Sequence, residues 1–174
     1  CEQTGEDVSM PLMTYVMDAN LYRKYSLLLL SPPGFGKSPL ARSIAFMWGV
    51  ALALAAGQSP QTSRFIECNT LDVLRQISGD LNERTPILFG EVCLGDSTQF
   101  EHLSVNGVKL LLSCNVRATL RARNTDVVLA PGQPRVFTSN ETSLLSFVGM
   151  DIRGDRAHFQ AIQKRVFVDV LERS

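Results

Sequence analysis

The stretch SPPGFGKS, residues 31–38, carries the clearest chemistry in the sequence. Gly34 and Gly36 allow successive backbone N–H groups to curl round an anion, and the dipole of a following helix favours negative charge at the same place. Lys37 can then reach the β and γ phosphates of a nucleotide, and the hydroxyl of Ser38 can hold magnesium. An apolar, strand-like run precedes the loop and a helical stretch follows it. The segment therefore predicts a nucleoside triphosphate site rather than an accidental Gly/Pro turn.

Two residues of this loop region depart from the simplest pattern. Ser31 stands where the first glycine of a phosphate-binding loop is expected. If that position needs a positive φ, serine would cost about 1 kcal/mol without abolishing binding. Pro39 falls in the first helical turn, where a missing N–H matters least.

Apolar runs alternate with helical stretches along the chain, which is typical of a three-layer α/β domain with a parallel sheet. The five strands of that sheet are predicted at residues 25–31, 64–68, 85–92, 134–140 and 165–171. Helices are predicted at residues 37–56, 71–77, 104–112 and 156–164. Residues 118–130 alternate around a polar turn and predict an inserted β-hairpin. Because ligands bind at the carboxyl ends of the strands in such sheets, we expect the site at that edge.

The composition is that of an ordinary globular domain, with 45% hydrophobic residues, 20% charged residues and a formal net charge of zero. Any nucleic-acid surface must therefore be local. The four cysteines form no C-x-x-C pair and there are two histidines, which argues against a zinc site and favours a reducing compartment. The longest apolar run, residues 44–57, is shorter than the roughly 20 residues of a membrane span. We expect an intracellular protein of the cytoplasm or nucleus with no membrane partner.

Four segments together resemble a known family. SPPGFGKS resembles the phosphate loop of AAA+ ATPases and viral superfamily 3 helicases, and PILFGEV resembles their second motif, an apolar strand that ends in Asp-Glu or Asp-Asp. PRVFTSN is similar to a superfamily 3 strand that ends in Thr-Ser-Asn, and AIQKRVFVDV to an AAA+ helix that ends in arginine before the last strand.

The resemblance covers residues 25–171 and implies a P-loop NTPase of the ASCE/AAA+ type, with a central parallel five-stranded sheet and an inserted hairpin. Residues 1–24 are then a lead-in segment and residues 25–174 the NTPase domain. The chain ends after the last strand without a C-terminal helical lid, which leans toward the superfamily 3 branch. Because it begins with Cys1 and not Met, we expect it to be a piece of a longer protein.

The resemblance also implies roles for individual residues. ATP is expected to contact the whole loop, formed by Pro33, Gly34, Phe35, Gly36, Lys37, Ser38 and Pro39. Glu91 is expected to activate the attacking water, and Ser38 with Glu91 to hold Mg²⁺. Gly90 occupies the place of the family's magnesium-binding aspartate, so we expect nucleotide binding to survive and hydrolysis to be slow. Asp96 is a weak candidate to replace that aspartate.

Asn140 and Arg165 complete the set of implied catalytic residues. Asn140 matches the polar sensor between Glu91 and the γ-phosphate, and its alternative role is to cap a helix that begins near ETSLLSF. Arg165 matches an arginine finger that reaches the nucleotide of a neighbouring subunit, which implies a ring, expected to be a hexamer. The alternative is a surface arginine at a helix end, and Lys164 and Arg156 are the next candidates for the finger.

Nucleic acid is the predicted partner of the segment between the second motif and the Thr-Ser-Asn strand. Its cations can follow the backbone of single-stranded DNA or RNA, and residues 104–124 contain no acid. The alternative is a solvated basic face, and no aromatic residue is interleaved for base stacking. The candidate contacts are Lys109, Arg117, Arg121 and Arg123.

Three functions fit these observations. The leading one is an ATP-binding and ATP-hydrolysing domain of a superfamily 3-like helicase in DNA replication. The second is an AAA+ protein-remodelling ATPase, although the stretch CNTLDVLRQ lacks an aromatic-glycine pore loop. The third is a nucleotide-binding scaffold with little turnover, which Gly90 and Ser31 favour.

Overall fold

A computed structural model describes residues 11–76, 81–96, 99–100, 103–120, 126–149 and 156–171. Its strands are β1 Ser26–Leu30, β2 Ile66–Cys68, β3 Ile87–Phe89, β4 Ala118–Leu120, β5 Val127–Leu129, β6 Arg135–Ser139 and β7 Val166–Val170. Its α-helices are α1 Leu12–Met17, α2 Ala19–Tyr22, α3 Lys37–Ala55, α4 Leu71–Gln76, α5 Val105–Leu112, α6 Leu144–Val148 and α7 Arg156–Gln163. A single 3₁₀ turn, Pro60–Thr62, also lies within the described ranges.

Five parallel strands form the central sheet, in the spatial order β2–β3–β6–β1–β7. This confirms the α/β class and the parallel five-stranded sheet predicted from the sequence. Leu30 pairs with Ser139 and Phe89 pairs with Phe137, so β1, β3 and β6 end at the same edge. The residues that follow these three strands are therefore neighbours.

Both faces of the sheet are covered by apolar side chains. Leu28 and Leu30 of β1 belong to one buried cluster, and Leu27 and Leu29 belong to another, as the two-residue period of a strand requires. The first cluster includes side chains of α4, α5, α6 and α7, and the second includes side chains of α1, α2 and α3. Every residue of β1 is buried, which is the reason that its sequence is a continuous apolar run.

The short helices α1 and α2, which the sequence analysis did not predict, pack against α3. Tyr22 stacks on Trp48 with 4.9 Å between ring centroids, and the indole N–H of Trp48 donates to the carbonyl of Val16 at 2.9 Å. By length and composition alone α3 could cross a membrane, but these contacts and its packing on the sheet make it a core helix. The domain boundary at residue 25 stays a prediction.

Strands β4 and β5 pair antiparallel, with Ala118 opposite Leu129 and Leu120 opposite Val127. All four of these side chains are buried in the first cluster. The pairing agrees with the predicted hairpin, and its base is part of the core. The connecting residues, 121–125, lie outside the described part of the chain.

Arg135, the first residue of β6, is a fully buried arginine. Its Nη1 atom donates to the carbonyls of Leu110, Leu111 and Ser113 at 3.0, 2.6 and 3.0 Å, while Nε and Nη2 have no partner among the described residues. Burial lowers the pKa of the guanidinium. These carbonyls lie at the end of α5, where the helix dipole favours a cation and backbone donors are scarce. Arg135 therefore joins α5 to the central strand of the sheet.

We expect Arg135→Ala to lower the free energy of unfolding by about 3 kcal/mol or more, because it leaves a cavity and removes a donor from three buried carbonyls, of which the one of Leu110 keeps the N–H of Ser113. Urea denaturation measures the change. Arg84→Ala, which removes an exposed arginine, is the control and should change stability by about 0.5 kcal/mol or less. Equal effects of the two substitutions would contradict this role for Arg135.

Candidate nucleotide-binding site

The predicted phosphate loop connects β1 to α3, and its glycines have left-handed backbone conformations. Gly34 has φ 87° and Gly36 has φ 77°, and a Cβ built on either would meet no atom within 4 Å. The glycines are thus required by backbone conformation, which disfavours other residues, and not by lack of space. Ser31 does not share this conformation, because Glu91 is the one non-glycine residue with positive φ in the described ranges. The conformational cost considered for Ser31 therefore does not arise.

The other predicted loop residues lie around the start of α3, where an anion would meet the helix N-terminus. Gly36 caps α3, so Lys37 and Ser38 are its first two residues and Pro39 lies in its first turn. The remaining two residues, Pro33 and Phe35, lie in the loop itself.

Lys37 is buried beneath the loop and is 4% exposed. Its ammonium group donates to the carbonyls of Ser31 and Pro32 at 2.7 and 3.1 Å, and to Oδ1 of Asn140 at 2.9 Å. Burial lowers the pKa of Lys37, and the carboxylate of Glu91 partly offsets this effect. The lysine therefore links the loop after β1 to the residue that follows β6.

The amide oxygen of Asn140 accepts from Lys37, and Asn140 does not act as the helix cap. The cap of α6 is Ser143, whose side chain accepts from the N–H of Ser146 at 3.1 Å. The alternative role considered for Asn140 is therefore wrong, while its role as a sensor stays a prediction.

Glu91 follows β3 with φ 53°, a left-handed conformation that costs a non-glycine residue about 1–2 kcal/mol. The side chain of Thr138 accepts from the N–H of Glu91 at 2.9 Å, and the carbonyl of Thr138 accepts from the N–H of Val92 at 2.9 Å. The strand β3 therefore ends at Phe89. The sequence analysis had placed its end at residue 92. Strained backbone held in this way is frequent at functional sites.

Gln99 forms a second support for the same loop. Its Nε2 atom donates to the carbonyl of Glu91 at 3.3 Å and its Oε1 atom accepts from the N–H of Cys93 at 2.9 Å. Sequence reasoning missed both Gln99 and Thr138. Thr138 stands in the Thr-Ser-Asn signature, so its position there was the available signal.

A cavity of about 560 Å³ opens beside the loop and is lined by Ser38, Arg42, Glu67, Cys68, Asn69, Val73, Gly90, Glu91 and Gln99. It unites the hydroxyl and the carboxylate predicted to hold magnesium. Within the described ranges no three or more acidic, histidine or cysteine side chains form a metal cluster. This donor set fits Mg²⁺ that takes most of its ligands from nucleotide phosphates and water. Asp96 is not among the described residues that line the cavity.

Arg165 lies at the opposite edge of the sheet. Its carbonyl accepts from the N–H of Ser26 at the start of β1, whereas the phosphate loop follows the end of that strand. Its side chain donates to Oγ of Ser113 at 2.9 Å and to the carbonyl of Ala161. At about 3.3 Å per residue, the length of β1 separates Arg165 from the loop of its own chain.

Two of the four predicted nucleic-acid contacts, Lys109 and Arg117, lie in the described part of the chain. Lys109 lies with Lys24, Lys164 and Arg165 around a cavity of about 490 Å³ at this second edge. Arg117 is exposed just before β4, and Arg156 is exposed at the start of α7. Arg121 and Arg123 lie outside the described residues.

No protein-family model matches the sequence. The chain is similar to a proteasome-associated ATPase from Nakamurella multipartita, at 29% identity over 94 residues, which is 51% of this chain. The aligned region is 15% of the length of that ATPase. The parallel sheet is compatible with a P-loop NTPase fold.

We expect Thr138→Val to lower nucleotide hydrolysis by about 10- to 100-fold, because the backbone of Glu91 would lose its bond to the Thr138 hydroxyl and its carboxylate would be positioned less accurately. Nucleotide affinity should change little, since Thr138 does not contact the loop. Steady-state hydrolysis and equilibrium nucleotide binding measure the two effects. Thr119→Val, on the exposed side of β4, is the control. A parallel loss of affinity and hydrolysis would show that Thr138 has a general structural role instead.

Proposed function

We propose that this chain is an ATP-binding and ATP-hydrolysing domain of the AAA+ type. The observation that carries the proposal is the position of Lys37, buried below a loop with two left-handed glycines and bonded to Asn140 of the adjacent strand. The similarity to a proteasome-associated ATPase supports it independently.

Binding follows from the groups that converge on the loop. Backbone N–H groups around Gly34 and Gly36 bind the phosphates, together with the N-terminus of α3. Lys37, which is held by oxygen atoms of the chain itself, gains a phosphate oxygen as a further or alternative partner. Because its ammonium group is buried, its attraction for phosphate is screened less than that of a surface lysine.

Hydrolysis requires a base and a group that orients the γ-phosphate. Glu91 accepts a proton from the attacking water, and Thr138 and Gln99 hold the backbone of this residue. The amide of Asn140 donates to the water or to a phosphate oxygen. Magnesium, when bound with the nucleotide, neutralises negative charge on the phosphates.

We expect magnesium-dependent ATP hydrolysis by the parent chain, and a decrease of at least about 100-fold in Glu91→Gln with ATP binding retained. Hydrolysis should be measured over a wide range of protein concentration, because a ring forms only above some concentration. Glu83→Gln, which neutralises an exposed glutamate of similar size, is the matched control.

If the parent binds ATP but does not hydrolyse it at any concentration, the domain is a nucleotide-binding scaffold, the alternative that Gly90 favours. If the parent does not bind ATP at all, the proposal is wrong.

The position of Arg165 favours catalysis between subunits. Because the length of β1 separates Arg165 from the loop of its own chain, its guanidinium can contact only the nucleotide of another subunit. The other cations around the same cavity add to the positive charge of that surface. We therefore propose a ring in which this edge of one subunit faces the loop of the next.

We expect Arg165→Ala to lower hydrolysis by about 100-fold or more, as for other arginine fingers. Lys37→Ala should also be inactive, and a mixture of the two variants should regain part of the activity, because one of them supplies the intact loop and the other the intact arginine. Arg84→Ala, which removes an exposed arginine that is not among the described residues lining the cavity beside Arg165, is the control. Failure of the mixture to recover any activity would exclude action between subunits.

A helicase function is a second candidate, favoured by the exposed Arg117 beside β4 and by the cations at residues 109–123. It depends on the sequence resemblance alone. Adding single-stranded DNA or RNA to the hydrolysis assay tests it, since a helicase domain is expected to be stimulated and a protein-remodelling ATPase is not.

A further inference from the structure

A carboxylate from the neighbouring strand lies beside Gly90. Glu67 is the middle residue of β2, which pairs with β3 through Glu67–Leu88 and Cys68–Phe89. The N–H of Gly90 continues this pairing with a bond to the carbonyl of Cys68 at 2.9 Å. A Cβ built on Gly90 would lie 3.3 Å from Oε1 of Glu67. The carboxylate therefore occupies the space next to the position that lacks a side chain.

Glu67 is held there by Arg42. Nη2 of Arg42 donates to Oε1 at 2.8 Å and Nε donates to Oε2 at 2.9 Å, a two-bond contact that fixes the plane of the carboxylate. Arg42 is four residues after Ser38 on α3 and hence on the same helix face. With 38% of its side chain exposed, Glu67 remains accessible from the cavity that it shares with Ser38 and Glu91.

The charged groups around Gly90 are the carboxylates of Glu67 and Glu91, which attract a cation, and the guanidinium of Arg42, which balances part of their charge. The pKa of Arg42 is raised first by its hydrogen bond to Glu67 and then by the charges of Glu67 and Glu91. Magnesium in nucleotide sites is bound by one or two carboxylates together with substrate phosphates and water. Glu67 adds a second carboxylate to the one that Glu91 supplies.

We propose that Glu67, oriented by Arg42, replaces the carboxylate absent at Gly90 and holds the magnesium of the bound nucleotide through water. The inference rests on the proposed function, because the nucleotide supplies the remaining ligands. The proposed ligand of the metal lies on β2. The sequence resemblance instead implied an acid at the end of β3, with Asp96 as a weak candidate to replace it.

The test is the effect of a divalent ion on nucleotide affinity in Glu67→Gln. The amide keeps the size of the side chain and an oxygen for Arg42, so folding should be preserved. We expect the affinity for ATP in EDTA to equal that of the parent, while the gain in affinity with Mg²⁺ falls by about 10-fold or more. Mn²⁺ binding in the presence of ATP, followed by electron paramagnetic resonance, should weaken by the same factor. Glu83→Gln is the matched control and should behave as the parent.

A rescue experiment separates loss of the carboxylate from a general disturbance. Adding Gly90→Asp to Glu67→Gln returns a carboxylate to the same space, and we expect metal-dependent affinity to recover. The same Gly90→Asp change in the parent should give no gain, because the new carboxylate would be repelled by the charge of Glu67, which Glu67→Gln removes.

The possible outcomes distinguish this inference from the proposed function. If the parent does not bind ATP with or without metal, the proposed function fails. If the parent binds ATP but Glu67→Gln keeps the full response to Mg²⁺ and Mn²⁺, or if the parent has no such response, the assignment of Glu67 is wrong.

Discussion

The parallel pairing of β6 with both β1 and β3 is the constraint on which the candidate site depends. It brings the ends of three strands to one level, so the end of β6 and the residue after it can reach the residues that follow the two neighbouring strands. Asn140 bonds to Lys37 on one side, and Thr138 bonds to the backbone of Glu91 on the other. A shift of one residue in this register would move every side chain of β6 to the opposite face of the sheet, so the core and the site are fixed by the same pairing.

The other end of β6 shows why this strand is held firmly. Arg135 is fully buried without an acidic partner in the described part of the chain, and the carbonyls at the end of α5 compensate in part for the loss of hydration. A buried cation is stable there because the dipole of α5 places partial negative charge at the same point. The buried cation therefore joins the helix to the strand. This attachment fixes one end of β6, and the polar residues of the site lie at the other end.

The sequence was sufficient to predict the buried strands and the glycines of the loop after β1, because both leave local patterns in the sequence. A strand buried on two faces must be apolar throughout, as in β1, and a loop with left-handed residues must contain glycine, as at Gly34 and Gly36. The left-handed conformation of Glu91 could not be predicted, since it arises from hydrogen bonds to Thr138, a residue distant in sequence. The pair of Arg42 and Glu67 depends likewise on the contact of α3 with β2, which no spacing in the sequence reveals.

The sequence predicts that Gly90 leaves the site without a magnesium-binding aspartate, and the surroundings of Gly90 argue for a different view. Its φ is not in the left-handed region, so the backbone does not require glycine there. What glycine provides is room, because a Cβ would crowd the carboxylate oxygen of Glu67 that faces it. The acid beside this position is fixed by two bonds to an arginine. The absence of a side chain at Gly90 and the position of Glu67 are thus two aspects of one arrangement, in which the carboxylate comes from the adjacent strand.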